Sequence, residues 1–239
     1  MNVNTLLLTF SIIAALSACG GGSSSTPTAM TNAIVPVAGS YLAFSSPNIV
    51  PPSTGTASVS GNGAATVVVG GKTATMSGFD NAGNATGVTG DFTKVIAFGG
   101  NTAYQLCRNA DNSMDGTAGF KSAYSMALAN AQPVGLNEIL GKSFKVYEDC
   151  AFSYDAKFNI DGTLTTAEDT ETAATVAAAF SQGGHTFTDA GVTANIKAAA
   201  YRITVNGTTF YAVIDRGNVV PYNGTVAYNA LWISNPVSP

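Results

Sequence analysis

Beyond Ile34 the apolar positions recur with a period of two, in short runs broken by Gly, Asn, Asp and Pro. That is the pattern of half-buried strands joined by turns. Residues 39–44 predict a first strand. Pro47, Pro51 and Pro52 predict an irregular loop after it, because proline brings no donor to a ladder. Residues 56–69 alternate around Gly61-Asn62-Gly63, and residues 67–76 around Gly70-Gly71, the second a two-residue hairpin loop. Residues 93–98 and 101–107 flank Gly99-Gly100 as a third hairpin. A short helical turn at 136–140 precedes strands at 143–150 and 152–160, with Asp161-Gly162 as a turn. Strands at 186–188, 199–205, 208–214 and 225–233 complete the pattern, and Asn206-Gly207 is its strongest hairpin signal.

Two segments change period. Ala123, Met126, Ala127 and Ala131 recur at helical spacing before Pro133, which predicts a helix over 118–130. Thr165-Thr166-Ala167-Glu168 has capping-box spacing, with Thr165 as N-cap and Glu168 at N3. With the Ala-rich run that follows and Gly183-Gly184 to end it, this predicts a helix over 166–180. The fold class expected is mainly β with one or two short helices. The sheets are antiparallel and sandwich- or barrel-like, since the connections are too short for parallel crossovers.

The halves resemble each other. Residues 96–104 align with 203–211, matching Ile96 with Ile203 and Tyr104 with Tyr211. Gly87-Val88-Thr89 matches Gly191-Val192-Thr193, and Gly39-Ser40-Tyr41 sits against Gly141-Lys142-Ser143-Phe144. The order is kept, so two tandem β-rich units are expected, 34–132 and 133–239. One continuous domain is the other arrangement these strands allow.

Only 10% of residues are charged, against about 25% in an average soluble domain. The net charge is −4 and the ten Lys and Arg are scattered. With no basic cluster to meet phosphates, nucleic acid is not an expected partner.

The first residues change the setting. Leu6, Leu7, Leu8, Phe10, Ile12, Ile13 and Leu16 form an apolar run ending at Ala18. It is too short for a bilayer, which needs about 20 residues, and suits a signal h-region. The run closes on Leu16-Ser17-Ala18-Cys19, which resembles the lipobox of bacterial lipoproteins at all four positions. The resemblance implies that 1–18 are a signal peptide, cleaved before Cys19, and that Cys19 carries diacylglyceryl and N-acyl chains such as palmitate. Two or more chains anchor stably. Gly20 in place of Asp after the Cys implies the outer membrane over the inner, by the sorting of enterobacterial members. Residues 19–33 then form a Gly/Ser/Thr tether with a reach of roughly 20 Å. In an exported chain, Cys107 and Cys150 are expected to form a disulfide, the alternative being two buried thiols.

Catalytic chemistry is sparse. His185 is the one histidine. A Ser-His-Asp site would have to use it with Asp189, and no Gly-x-Ser-x-Gly elbow accompanies it. A solvated loop histidine is the plainer reading. One His and two bridged Cys do not make a zinc site. Asp111, Ser113 and Asp115 match the opening of a calcium loop with Gly116 at the sixth place, but Ser122 stands where a bidentate Glu belongs. The alternative is a polar turn. Glu148, Asp149 and Asp155 lie close in sequence, yet adjacent strand residues face opposite ways. Glu168, Asp169 and Glu171 read as first-turn helix acids. The aromatics read as core, or as an exposed row facing a glycan or protein ligand. The expectation is a lipid-anchored envelope protein with a non-catalytic binding or scaffolding body and no cofactor. The alternatives are a small-ligand carrier with a barrel interior and a hydrolase with a site at His185.

Overall fold

The computed structural model describes residues 38–45, 48–60, 64–98, 103–110, 119–128, 131–148, 150–167, 169–189, 192–205, 207–220 and 226–236. Residues Asn32–Pro239 cluster as one unit. The fold is mainly β, in antiparallel sheets, one of them curled into a half-barrel.

The strands of the first half are β1 (Gly39–Ser45), β2 (Asn48–Val59), β3 (Ala65–Val69), β4 (Lys72–Met76), β5 (Gly78–Phe79), β6 (Ala85–Thr86), β7 (Thr89–Gly90), β8 (Lys94–Phe98), β9 (Ala103–Ala110) and β10 (Gly119–Leu128). All but β5 and β6, which pair with each other, form one sheet in the order β7-β4-β3-β2-β1-β10-β9-β8. The second half contains β11 (Gln132–Val134), α1 (Leu136–Ile139), β12 (Ser143–Glu148), β13 (Ala151–Phe158), β14 (Leu164–Thr166), β15 (Thr170–Glu171), α2 (Ala173–Ala179), β16 (His185–Asp189), β17 (Val192–Val205), β18 (Thr208–Val220) and β19 (Val226–Ser234). Its sheet runs β11-β17-β18-β19-β12-β13-β14-β15, with β16 also on β17. In each sheet an early strand pairs with the closing one, β1 with β10 and, after the short β11, β12 with β19.

Local chemistry explains the turns. Gly70 and Gly71 both take positive φ, at 57° and 72°, which lets Val69 pair directly with Lys72 across a two-residue loop. Val205 likewise stands opposite Thr208 at the end of the β17–β18 pair, with Gly207 at φ 78°. Asp161 accepts from the Thr163 N–H at 3.0 Å, stabilising the turn between β13 and β14.

Three expectations are corrected. Residues 118–130 are not a helix. Residues 119–128 are β10, paired on both sides with β1 and β9. Phe120, Ser122, Tyr124, Met126 and Leu128 also alternate, and the central position in the sheet decides against the weak helical spacing of the alanines. The helix at 166–180 shrinks to Ala173–Ala179, capped by Thr172, whose Oγ1 accepts from the Thr175 N–H at 3.2 Å. Thr165 belongs to the β14–β15 hairpin, where its Oγ1 takes a bond from Asn159 Nδ2 at 2.9 Å. Finally, Pro51 and Pro52 lie inside β2 and not in a loop. They fall where its register with β1 shifts, between the pairs Ala43–Ser53 and Ser45–Asn48. A bulge is where a strand tolerates proline.

The core lies on three sides of these sheets. One face of the first sheet packs Tyr41, Val67, Met76, Tyr104 and Leu106 with Phe79 and Phe92. A seam continues this cluster onto the second sheet through Cys107, Cys150, Ile203, Ile214, Leu231 and Ile233. The other face of the second sheet gathers Phe144, Val146, Phe158, Val213 and Trp232 under Ile139 of α1 and Val176 of α2. Central strands β18 and β19 are therefore buried on both faces.

Candidate functional site

The seam holds one polar crosspiece. Gln105 on β9 is fully buried. Its Oε1 accepts from the Cys150 N–H at 2.7 Å, and its Nε2 donates to the Tyr147 carbonyl at 3.2 Å. Both ends of the amide are thus satisfied by the backbone around the end of β12. Two residues along β9, Cys107 is bridged to Cys150, with the Cα atoms 6.1 Å apart. Cys150 takes φ +59°, an uncommon conformation for a residue with a Cβ. The bridge and the amide hold the same backbone from two directions.

The helix-covered face of the second sheet reads in rows, because cross-strand partners share a face. Arg202, Tyr211, Ser234 and Phe144 make the first. Arg202 Nη1 meets Glu138 Oε1 of α1 at 2.9 Å, Tyr211 donates to the same oxygen at 3.2 Å, and Arg202 Nη2 donates to Gln132 Oε1 at 2.6 Å. The next row is Ala200, Val213, Trp232, Val146 and Tyr154. Tyr154 meets the Trp232 ring edge-on at 6.3 Å, and Phe158 lies 5.7 Å from it. The third row is Ala198, Asp215, Ala230 and Glu148.

The second and third rows each hold one unusual group. Asp215 is 9% exposed and Trp232 is 5% exposed. Asp215 Oδ1 and Trp232 Nε1 are buried with no hydrogen-bond partner among the described residues. Buried polar atoms are nearly always paired, so each such atom asks for an explanation. Burial pushes the Asp215 carboxyl up to about 7, and the Glu148 charge adds to that, while the Arg216 N–H and guanidinium oppose it. Cross-strand partners on β18 alternate, so Arg216 and its partner Lys197 face the seam and not this row. Short side chains, Ala198 and Ala230, stand on either side of Asp215. Glu148 is half-buried and accepts from Ser153 Oγ at 3.4 Å, so this end of the face reaches solvent.

The residues singled out in the sequence are distributed otherwise. Cys19 and its neighbours lie outside the described residues, as do Asp111, Ser113, Asp115, Asp149 and Glu168. His185 sits on β16, its ring stacked 5.8 Å from Phe187. Asp189 is four residues along the same strand, roughly 13 Å away at strand rise, which is too far for a His–Asp pair. Asp155 is exposed, with an oxygen 3.9 Å from Lys145 Nζ. Asp169 and Glu171 flank the β14–β15 hairpin and do not open a helix. Among the described residues, no three His, Cys, Asp or Glu side chains gather around a point where a metal could sit. Tyr41, Phe44, Tyr104, Phe144, Phe158, Phe210, Tyr211 and Trp232 are core residues, whereas Phe152 is 51% exposed with Lys145 Nζ 5.1 Å from its ring centre. Asp215 escaped the sequence reading. Its one signal is an acid directly following the apolar run Phe210-Tyr211-Ala212-Val213-Ile214.

No protein-family model matches this chain, and no curated protein matches it. Among solved structures, it is similar to a protein of unknown function from the DUF3598 family of Nostoc punctiforme PCC 73102. The two share 14% identity over 84% of this chain and 94% of the other, with a TM-score of 0.31. At that score the likeness supports no argument about fold or function.

Proposed function

We propose that this chain is a lipid-anchored protein of the bacterial envelope, held at the outer membrane by acylated Cys19, with a body that binds and does not catalyse. The observation that carries the reading is Leu16-Ser17-Ala18-Cys19 followed by a Gly/Ser tether. A bridged Cys107–Cys150 pair fits an oxidising compartment. The body is read as two tandem units, because β8-β9-β10-β1-β2-β3-β4 and β17-β18-β19-β12-β13-β14-β15 repeat one strand order. The aligned hairpins at Ile96–Tyr104 and Ile203–Tyr211 fall at equivalent places in it.

Between scaffolding and small-ligand binding, the unpartnered atoms of Asp215 and Trp232 favour the second. A scaffold has no use for a desolvated carboxyl with one oxygen left unpaired, whereas ligand sites are apolar with a few polar groups. Mass spectrometry of the mature N-terminus tests the anchor: a diacylglyceryl-modified Cys19 is expected, and an unmodified Cys19 in envelope fractions would remove it. Native mass spectrometry of the purified chain tests the binding body. A non-covalent small-molecule adduct, lost on mild activation, is the expected outcome.

A further inference from the structure

We propose that β16 is a docking edge for a second copy of this chain. Two β16 strands pair antiparallel about a two-fold axis at Phe187 and join the second sheets of the two copies into one. The inference stands apart from the small-ligand reading.

The open edge is the first observation. An edge strand presents unpaired N–H and C=O groups to any chain that can add to it, so proteins shorten, cover or interrupt their edges. Most strands that end the two large sheets are treated in that way. β7 and β15 are two residues long, and β11 has three residues with Pro133 in the middle. β8 is covered, since Asn84 bridges to Ile96 and the Ala97 N–H donates to the Gly83 carbonyl at 2.8 Å. β16 stays open. It runs for five residues, His185–Asp189, without Pro, Gly or Lys. Among the described residues its ladder partner is β17 alone. Phe187 is half-buried on one face of this edge, and Thr186 and Thr188 are exposed on the other.

The second observation is that the edge is complementary to itself. About a two-fold axis at Phe187, Phe187 meets Phe187, Thr186 meets Thr188 and His185 meets Asp189. Two aromatics, two hydroxyls, and an imidazole with an acid are all favourable cross-strand pairs. Within one chain His185 and Asp189 lie roughly 13 Å apart at strand rise and cannot meet. Across the axis the same two positions stand opposite each other, twice. A slip by two residues would set Phe187 against His185 or Asp189 and shorten the ladder. A two-fold contact also consumes the edge on both copies, so assembly stops at the dimer. With five residues a side the contact is small, and the association is of the weak, reversible class.

The experiment uses the full chain. Sedimentation velocity over a concentration series should show a reversible monomer–dimer equilibrium. Phe187→Lys should raise the dissociation constant about 10-fold or more, since an aromatic pair is lost and like charges meet on the axis. Cysteine variants read the register directly, and they decide alone if Phe187→Lys does not fold. Phe187→Cys chains, oxidised and mapped as peptides, should be joined to each other at position 187. Thr186→Cys chains should not be joined to each other at position 186, but should be joined to Thr188→Cys chains when the two are mixed. A chain that stays monomeric and forms none of these bridges overturns the inference and leaves the edge to an extended segment of another protein. A dimer that Phe187→Lys leaves unchanged, with no bridge at position 187, lies elsewhere on the chain and overturns it equally.

Discussion

The first and second sheets place their strands in the same order around a shared seam, but they treat inward polar groups in opposite ways. In the first, Tyr41 and Tyr104 are fully buried, and their hydroxyls lie 3.5 Å apart with the rings edge-on at 5.1 Å. Burial raises Tyr41 to about 12, so it stays neutral, and its polar atom is turned toward another. Val67, Val69, Ala74 and Met76 belong to the same buried cluster, fill space and bring no polar atom to it. In the second, Asp215 and Trp232 are also buried, yet Asp215 Oδ1 and Trp232 Nε1 have no hydrogen-bond partner among the described residues. One scaffold thus carries a closed interior and an incomplete one. The incompleteness is a matter of two residues, not of topology.

The hardest blow to this contrast is Phe158→Ala. Phe158 meets Phe144, Phe180 and Trp232 at 5.5, 5.9 and 5.7 Å, all on the second interior. Urea unfolding should show a loss of about 3–5 kcal/mol. Because the seam joins the sheets, the loss should appear in one cooperative transition. Two separated transitions would mean that the halves unfold independently. Next comes the seam itself. Replacing Cys107 and Cys150 together by Ala should lower stability by about 2–4 kcal/mol in non-reducing urea titrations. Gln105→Leu should remove about 1–3 kcal/mol, since the Cys150 N–H and Tyr147 carbonyl then lose this buried partner. A neutral outcome there would show that the bridge alone sets the backbone at Cys150.

The gentlest test concerns acidity and separates the two interiors directly. The folded Asp215 pKa of about 7 stands above the ordinary 3.8. The folded state therefore holds a proton that the unfolded chain has released. Stability from this group is fully present below about pH 4 and lost as pH rises through 7, with a slope of at most about 1.4 kcal/mol per pH unit. Asp215→Asn should abolish that slope in unfolding measured between pH 4 and 8. Tyr41→Phe in the first sheet should leave it unchanged.

Much of the strand content could be read from alternation, since a turn residue such as Gly70 or Gly207 marks its hairpin by conformational need. The failures were places where tertiary pairing overrules local preference. Segment 119–128 carries alanine spacing that suits a helix, yet it lies between two long strands that each need a partner. Thr165 has the right chemistry for a cap, but its hydroxyl is taken by Asn159 and the sheet. The bridge was legible because three cysteines with one claimed by the lipobox leave one pair. The acid row was not. On β18, buried on both faces, alternation distinguishes nothing, and an inward aspartate looks like the end of an apolar run. Only the register brings Asp215, Ala230 and Glu148 into line, and register is not a property of any single segment.

That pairing of an early strand with the closing one has a kinetic side. Tyr41 waits for Leu128, and Phe144 for Ser234. Each sheet has high contact order, so its closure must follow a long search. During N-terminus-first synthesis the free edge of β1 stands without its β10 partner until most of its own half has emerged, a period in which it can capture the wrong strand. The bond between Cys107 and Cys150 cannot form until β12 has followed. Oxidation therefore reports that the first half has emerged whole, while the interior bearing Asp215 is still waiting for its last strand.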